Sequence, residues 1–374
     1  MGRASPLPSS FSIRLPYTYL EFTPQHRDFA TMRLYGDAVY FGGYAQPFRE
    51  VAIYRHDLKT DEESLVASPS RQDRIIGLIN VTRGWLAYDD LTPINAPMQP
   101  DDDIVIYLLN LTTQERIEAA RINEGGKCKQ NWYTADFDGE RLVWNQSVLA
   151  ASGRCIHQIA LYDIASRRTS ILTECESPYG LDTPRIHGDR VVWNRFLATE
   201  RRFTPQPTTL PGAMVIPGGE SFQEIIGDVY LYDLRTGTEV NVSQTGKACQ
   251  PDIWGDYVVW VELPIRFVGH EYGSGDIILH NLATKESKKI TNNPLGGFDW
   301  PTVGDGIATW HQMNVGTAPI YRIADGKVAV LDQKRSGGAA VEGKVITWLW
   351  TDPNDFATRE LLECKEKIKV AIFP

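Results

Sequence analysis

The sequence predicts an all-β chain folded as a seven-bladed β-propeller of four-stranded antiparallel blades, and three observations predict it. A Gly-containing turn followed by an apolar, aromatic-ended strand recurs along the chain. The instances are Tyr35-Gly36-Asp37 before Val39-Tyr40, Arg83-Gly84 before Trp85–Tyr88, Asp138-Gly139-Glu140 before Leu142–Trp144, Gly188-Asp189 before Val191–Trp193, Trp254-Gly255-Asp256 before Val258–Trp260, Val303-Gly304-Asp305 before Ile307–Trp310, and Glu342-Gly343-Lys344 before Val345–Trp348. Each is followed by a strand of IxLYDL type: Ile53–Leu58, Ile104–Leu109, Ile159–Ile164, Val229–Leu234, Ile277–Leu282, Ile320–Ile323 and, more weakly, Thr358–Glu363. The unit repeats at roughly 40–50 residues, and a four-stranded sheet of that size must stack on copies of itself to bury its faces.

Taken in order, Phe11–Phe22 precedes the first full repeat and reads as a closing strand, with Ser12–Leu20 as its candidate core. Lending an N-terminal strand to the last blade removes a free sheet edge. Lys367–Phe373 competes for the outer place in that blade, so the closure stays open at this point. The repeats run Asp28–Ala67, Arg74–Ile122, Asn131–Thr173, Thr183–Ser243, Pro251–Thr291, Pro301–Leu331 and Ala339–Phe373. The fourth carries a long irregular insert over Asn194–Gly227. One domain spanning 1–374 accounts for the whole chain.

Composition agrees. A 374-residue chain with 42% hydrophobic residues can bury a large core in one closed domain. Its Trp and Tyr recur at equivalent repeat positions, where flat side chains fill the wedge between blades. A net charge of -9 leaves no domain-wide basic field for nucleic acid. No apolar run approaches the ~20 residues that span a bilayer.

Five cysteines are an odd number. Cys128, Cys155 and Cys175 all belong to the third repeat near one end of its sheet, so one disulfide among them is geometrically allowed, and reduced buried Cys is the alternative. Asn80, Asn110, Asn145 and Asn241 head N-x-S/T triplets, a pattern that chance produces readily in Thr- and Ser-rich strands. The opening MGRASPLPSS lacks an apolar signal core. The expectation is a secreted or periplasmic protein whose signal has been removed, with a cytoplasmic one left open.

Strand order sorts the loops. Turns from first to second strand (A–B) and third to fourth (C–D) lie on one face of the disc and are terse. The B–C loops Asp89–Asp103, Asn145–His157, Asn194–Gly227, Glu262–Gly275 and Gln312–Ala318 lie on the other face, long and varied. Function is expected on that long-loop face, because a rigid scaffold places binding and chemistry on loops. Of the histidines, His56, His187 and His280 fall on the terse face and read as hydrogen-bonded surface groups. His26, His157, His270 and His311 fall on the long-loop face. His311, directly after Trp310, is placed at the mouth of the central channel.

Other polar groups converge on that rim. The chain enters its first strands through Lys129, Asn131, Trp132, Tyr179, Asp182, Gln250, Asp299 and Trp300, and leaves its second strands through Asn145, Asn194, Arg195, Glu262, His311 and Gln312. Aromatic plates beneath a ring, with amides and Arg forks on hydroxyls and carboxylates, form the mixture that recognises sugars.

The units Pro184–Trp193 (PRIHGDRVVW), Pro251–Trp260 (PDIWGDYVVW) and Pro301–Trp310 (PTVGDGIATW) resemble the repeats of TolB-like and microbial surface-protein propellers. That resemblance covers most of the chain and implies architecture, not activity. A weaker similarity connects it to seven-bladed propeller polysaccharide lyases, none of whose diagnostic motifs is present.

The Asp boxes of sialidases, a G-x-S-x-G hydrolase segment and an inner ring of His for iron are all absent from the sequence. Three functions remain. A lyase would cleave a uronate-containing glycan by β-elimination, with His311 or His270 as base, Tyr179 as acid, and Arg195, Lys129, Asn131, Trp132, Asn145, Asn194, Gln250, Trp300 and Gln312 around the substrate. A hydrolase would use Asp182, Glu262 and Asp299. A non-catalytic propeller would dock a protein or glycan on the long-loop face. No cofactor is expected, a divalent metal stays open, and the partner is an acidic polysaccharide or oligosaccharide bound by a monomer.

Overall fold

Asp and Asn at strand ends turn this chain back on itself. In a computed structural model of the protein, described over residues 18–22, 31–45, 50–71, 74–92, 103–123, 128, 133–201, 222–263, 275–292, 298–312, 319–330, 336–351 and 366–373, the C–D turns of blades one, two, four and five share one device. The Oδ1 of Asp57, Asn110, Asp233 and Asn281 accepts hydrogen bonds from backbone N–H groups two and three residues on. These Asx contacts preset a tight turn before the fourth strand pairs.

The described residues form 28 strands in seven four-stranded antiparallel sheets and no helix. β1 is Thr18–Phe22. Blade one holds β2 (Met32–Tyr35), β3 (Ala38–Ala45), β4 (Glu50–Asp57) and β5 (Glu62–Ala67); blade two, β6 (Ile75–Thr82), β7 (Trp85–Leu91), β8 (Asp103–Asn110) and β9 (Arg116–Asn123). Blade three holds β10 (Ala135–Phe137), β11 (Arg141–Leu149), β12 (Cys155–Asp163) and β13 (Arg168–Glu176); blade four, β14 (Tyr179–His187), β15 (Arg190–Arg201), β16 (Phe222–Asp233) and β17 (Thr238–Asn241). Blade five holds β18 (Ala248–Trp254), β19 (Tyr257–Glu262), β20 (Asp276–Asn281) and β21 (Glu286–Lys289); blade six, β22 (Phe298–Val303), β23 (Ile307–Gln312), β24 (Pro319–Arg322) and β25 (Lys327–Val330). Blade seven runs β26 (Ser336–Glu342), β27 (Val345–Thr351) and β28 (Glu366–Ile372), with β1 as its fourth strand. This is the propeller the repeats predict.

The last blade differs in detail from expectation. Lys367–Phe373 is not its outer strand: β28 pairs with β27 through Trp348↔Lys369, and β1 takes the outer edge through Leu20↔Val370. β28 also fills the third-strand place assigned to Thr358–Glu363, which lies outside the described residues. The blade-four insert is not irregular at its base, because β15 and β16 continue as paired arms out to Arg201↔Phe222. The sixth A–B turn is shifted too. Its left-handed glycine is Gly306 at φ +79° rather than Gly304. Gly304 serves a close approach instead, since a Cβ there would fall 2.2 Å from the Gly343 carbonyl oxygen of blade seven.

Buried clusters lie between successive blades. Trp144, Trp193, Trp260, Trp310 and Trp348, on the second strands of blades three to seven, are all at most 3% exposed. The ring closes where Ile368 and Val370 of β28 pack with Val39 and Phe41 of β3. Polar bonds stitch the inner strands around the axis as well. Ile186 N donates to Asp136 Oδ2 at 2.8 Å, Val303 N to Asp252 Oδ2 at 2.8 Å, and Val341 N to Thr302 Oγ1 at 3.1 Å. Each contact satisfies a backbone N–H that faces the axis rather than a neighbouring strand. Among the described residues no helix is long and apolar enough to cross a membrane.

Candidate functional site

Three adjacent inner strands carry the same irregularity. The register of β14 on β15 shifts between Asp182 and Arg185, that of β18 on β19 between Cys249 and Asp252, and that of β22 on β23 between Asp299 and Thr302. Inside each bulge a residue directly before Pro takes a left-handed backbone: Thr183 at φ +48°, Gln250 at +51° and Trp300 at +46°. Proline pushes its predecessor toward extended conformations, so each position is strained by about 1–3 kcal/mol. The register also shifts in β6 and β26, but among the described inner-strand residues other than Gly only these three take a left-handed backbone, which marks a place where side-chain direction matters.

The three bulges meet around one small cavity of about 30 Å³, lined by Thr183, Arg185, Gln250, Pro251, Trp300, Pro301 and Thr302. That volume admits about two water-sized groups. Trp300 is 43% exposed, whereas Thr183 and Gln250 are 5% and 9% exposed. Gln250 Oε1 accepts a hydrogen bond from Trp300 N at 2.9 Å. The Thr183 hydroxyl is buried without a hydrogen-bond partner among the described residues. Arg185 Nη1 donates to Pro184 O at 2.9 Å, and its Nε lies 4.0 Å from Asp252 Oδ1.

Of the residues read as a site, the structure brings Gln250 and Trp300 together. His311 sits on β23 with its Cα opposite Asp299, as Asn194 sits opposite Asp182 in blade four. Gln312 follows His311 at the end of β23, opposite Phe298. Asn145 is inside the fold: its Oδ1 accepts from Thr134 N at 2.7 Å, and its Nδ2 donates to Leu181 O and Asp182 Oδ1 at 3.4 Å. It joins blade three to blade four. Asn194 is likewise buried, with its Oδ1 packed where a Cβ on Gly227 would stand 2.8 Å away.

Arg195 does not face the mouth. Successive strand side chains point to opposite faces, and one residue past Asn194 the guanidinium turns outward between blades. It pairs with Glu239 at 3.0 Å, donates to Thr173 Oγ1 at 3.0 Å and lies 4.5 Å over the Tyr230 ring. Tyr179 is exposed on the extended start of β14, four residues before Thr183 and so about 13 Å along the strand. Lys129, Asn131, Trp132 and His270 lie outside the described residues.

Burial tunes the carboxyls at the axis. It pushes Asp182 and Asp252 up to about 6, with Arg185 opposing the rise in both. It pushes Glu342 up to about 7 against the pull of Arg33, 3.8 Å away. His157 is held below its ordinary value by burial, with Nδ1 at 2.8 Å from Ser147 Oγ and Nε2 at 3.2 Å from Ser177 Oγ. This contact ties the β11–β12 hairpin to the β13–β14 turn. His56 and His280, read as surface groups, are buried at 4% and 7% exposure. A disulfide joins Cys128 to Cys155, and Cys175 and Cys249 take no part in it. Among the described residues no group of three or more His, Cys, Asp or Glu is arranged to hold a metal ion.

Thr183 and Arg185 escaped the sequence reading. The signal was present, since D-T-P-R, C-Q-P-D and D-W-P-T place a residue before Pro at the same point of three successive repeats.

No family model and no curated protein matches the chain. Among solved structures it is similar to the β-propeller domain of the Trilobed protease from Pyrococcus furiosus, described as having an open velcro topology, at 15% identity and TM-score 0.56 over 89% of this chain and 92% of that one. It is also similar to prolyl endopeptidases, at 10% identity and TM-score 0.60, where 93% of this chain covers 50% of theirs. Oligogalacturonate lyase from Vibrio parahaemolyticus matches at 11% identity and TM-score 0.52, over 96% of this chain and 97% of that one. At these identities the likeness shows a fold in common: the chain is a seven-bladed propeller of an architecture found in peptidases and in an oligogalacturonate lyase alike.

Proposed function

We propose that the protein is a carbohydrate-active propeller that binds a uronate-containing glycan on its long-loop face and cleaves it by β-elimination. The observation that carries this reading is Trp300. An indole 43% exposed, held in a strained backbone beside a buried amide and a buried hydroxyl, is a plate on which a sugar ring stacks while its substituents find donors. The oligogalacturonate lyase fold, matched nearly end to end, is compatible with such chemistry.

In this reaction a base takes the proton from the carbon α to the uronate carboxylate. The electron pair forms a carbon–carbon double bond, and the glycosidic oxygen leaves from the β carbon, taking a proton from solvent. His311, whose Cα lies opposite that of Asp299, is the proposed base, because imidazole is the side chain most often used to take a proton in such a step. Tyr179, about 13 Å up the strand from Thr183, contacts a neighbouring sugar of the same glycan. The Cys128–Cys155 bond supports an oxidising compartment outside the cytoplasm. A monomer acting without a cofactor suffices for this reading.

A second reading is a glycan-binding propeller without catalysis. It is favoured by the engagement of Asn145 and Arg195 in blade-to-blade contacts. One experiment separates the two: purified protein is incubated with a panel of uronate polysaccharides while ultraviolet absorbance of the unsaturated product and release of reducing ends are followed together. Absorbance growth that disappears in His311→Ala establishes the lyase. Reducing ends without absorbance mean hydrolysis, and silence in both with retention of the protein on a uronate gel establishes the binding propeller.

A further inference from the structure

We infer that the cavity formed by the three pre-proline bulges is a carboxylate subsite, in which Arg185, Thr183 and Gln250 receive the two oxygens of a uronate carboxylate whose ring lies on Trp300. The choice of a uronate rests on the function proposed above; the assignment of the cavity rests on its own geometry.

Four features converge. The cavity admits about two water-sized groups, the number a carboxylate's oxygens need. Thr183, only 5% exposed, lines it, and its buried hydroxyl has no hydrogen-bond partner among the described residues. Such a buried polar group is unfavourable unless something bonds it. Gln250 directs its oxygen to Trp300 N, which leaves its amide Nε2 as a donor. The guanidinium of Arg185 has one Nη1 bond to Pro184 O and a loose 4.0 Å approach to Asp252, so donors of its planar fork remain for an anion. The backbone strain explains why these side chains converge: a left-handed residue turns its side chain out of the strand's alternation, and it does so in three neighbouring blades at one height.

The donor set also defines what is excluded. A neutral hexose offers a hydroxymethyl where a uronate offers a carboxylate, and one hydroxyl cannot satisfy the guanidinium, hydroxyl and amide together. A small carboxylate without a ring forgoes the indole. Asp252 neutralises part of the Arg185 charge, so a single sugar is expected to bind in the millimolar range, about 1 mM.

The test is binding of D-glucuronate, D-glucose and acetate to the full chain, by titration calorimetry and by saturation-transfer NMR. The expected result is binding of glucuronate at least about tenfold tighter than of either comparator, weakened about tenfold by Arg185→Met and severalfold by Thr183→Val. Should Arg185→Met fail to fold, the isosteric Thr183→Val decides alone. Equal affinity for glucose or acetate, or a glucuronate affinity unmoved by Thr183→Val, would overturn the subsite. Lyase turnover that survives both substitutions unchanged would overturn it too while leaving the proposed function standing. Variant-sensitive glucuronate binding without turnover on any polymer would uphold the subsite and remove the lyase.

Discussion

Gln250 Oε1 accepts a 2.9 Å hydrogen bond from the backbone N of Trp300, so blade five holds the strained residue that presents blade six's exposed indole. Gln250→Met keeps the shape of the side chain and removes the acceptor, leaving the Trp300 N–H unsatisfied. The expected loss is about 1–3 kcal/mol in urea unfolding, together with weaker retention on uronate gels. Retention equal to that of the unaltered protein would show that Trp300 holds its position without this bond.

Arg195 belongs to the interior contact between blades three and four. Replacing it with Met should lower stability by about 1–2 kcal/mol through the loss of Glu239, Thr173 and the Tyr230 ring. Glycan turnover, measured at a temperature where the variant is folded, should be unchanged. A fall in kcat with full stability would return Arg195 to the site.

The disulfide between Cys128 and Cys155 closes a loop of 27 residues in sequence separation. Loop entropy in the unfolded chain predicts a contribution of about 3.5 kcal/mol. Cys128→Ser with Cys155→Ser should lower the Tm accordingly, and dithiothreitol should lower the Tm of the unaltered protein but not of the double variant. An unaltered protein insensitive to reductant would contradict this.

At the axis, burial lifts the Asp252 carboxyl from 3.8 to about 6. The folded chain therefore binds that proton more tightly than the unfolded chain. Its contribution to stability is full at low pH and is lost as pH rises through about 6. Asp252→Asn keeps an acceptor for Val303 N and should flatten the stability profile between about pH 4 and 6. The His187 ring acts with the opposite sign. Burial holds it below 6.5, and its Nδ1 accepts from Gly255 N at 3.1 Å, so its contribution is present above 6.5 and lost on acidification. His187→Asn should therefore reduce the fall in stability on going from neutral to acid pH, and an unchanged slope would contradict that assignment.

Local chemistry made the fold legible. The seven turn-and-strand units, the Trp at the end of the second strands and the IxLYDL strands each follow from short-range pattern, and a sheet unable to bury its own faces has to stack in a ring. Where a contact joined distant segments, the pattern misled or stayed silent. The role of Gly304 depends on a carbonyl in the next blade, and the third strand of blade seven was placed too early because the spacing there is irregular.

The amino-acid order by itself determined the period, the strand types and the face that carries long loops, because hydrogen-bonded turns and alternating apolar residues act within a few positions. Only the tertiary structure decided which polar side chains meet. Asn145 and Arg195 look like rim residues until their own blades supply Thr134 and Glu239, and the neighbouring blades Leu181 and Thr173, as partners. Thr183, Gln250 and Trp300 are separated in succession by 67 and 50 residues and line one cavity only because closing the ring sets their three blades side by side. A side chain's direction at a bulge depends on a backbone angle, and that angle is set by register between strands, which no local run of residues encodes.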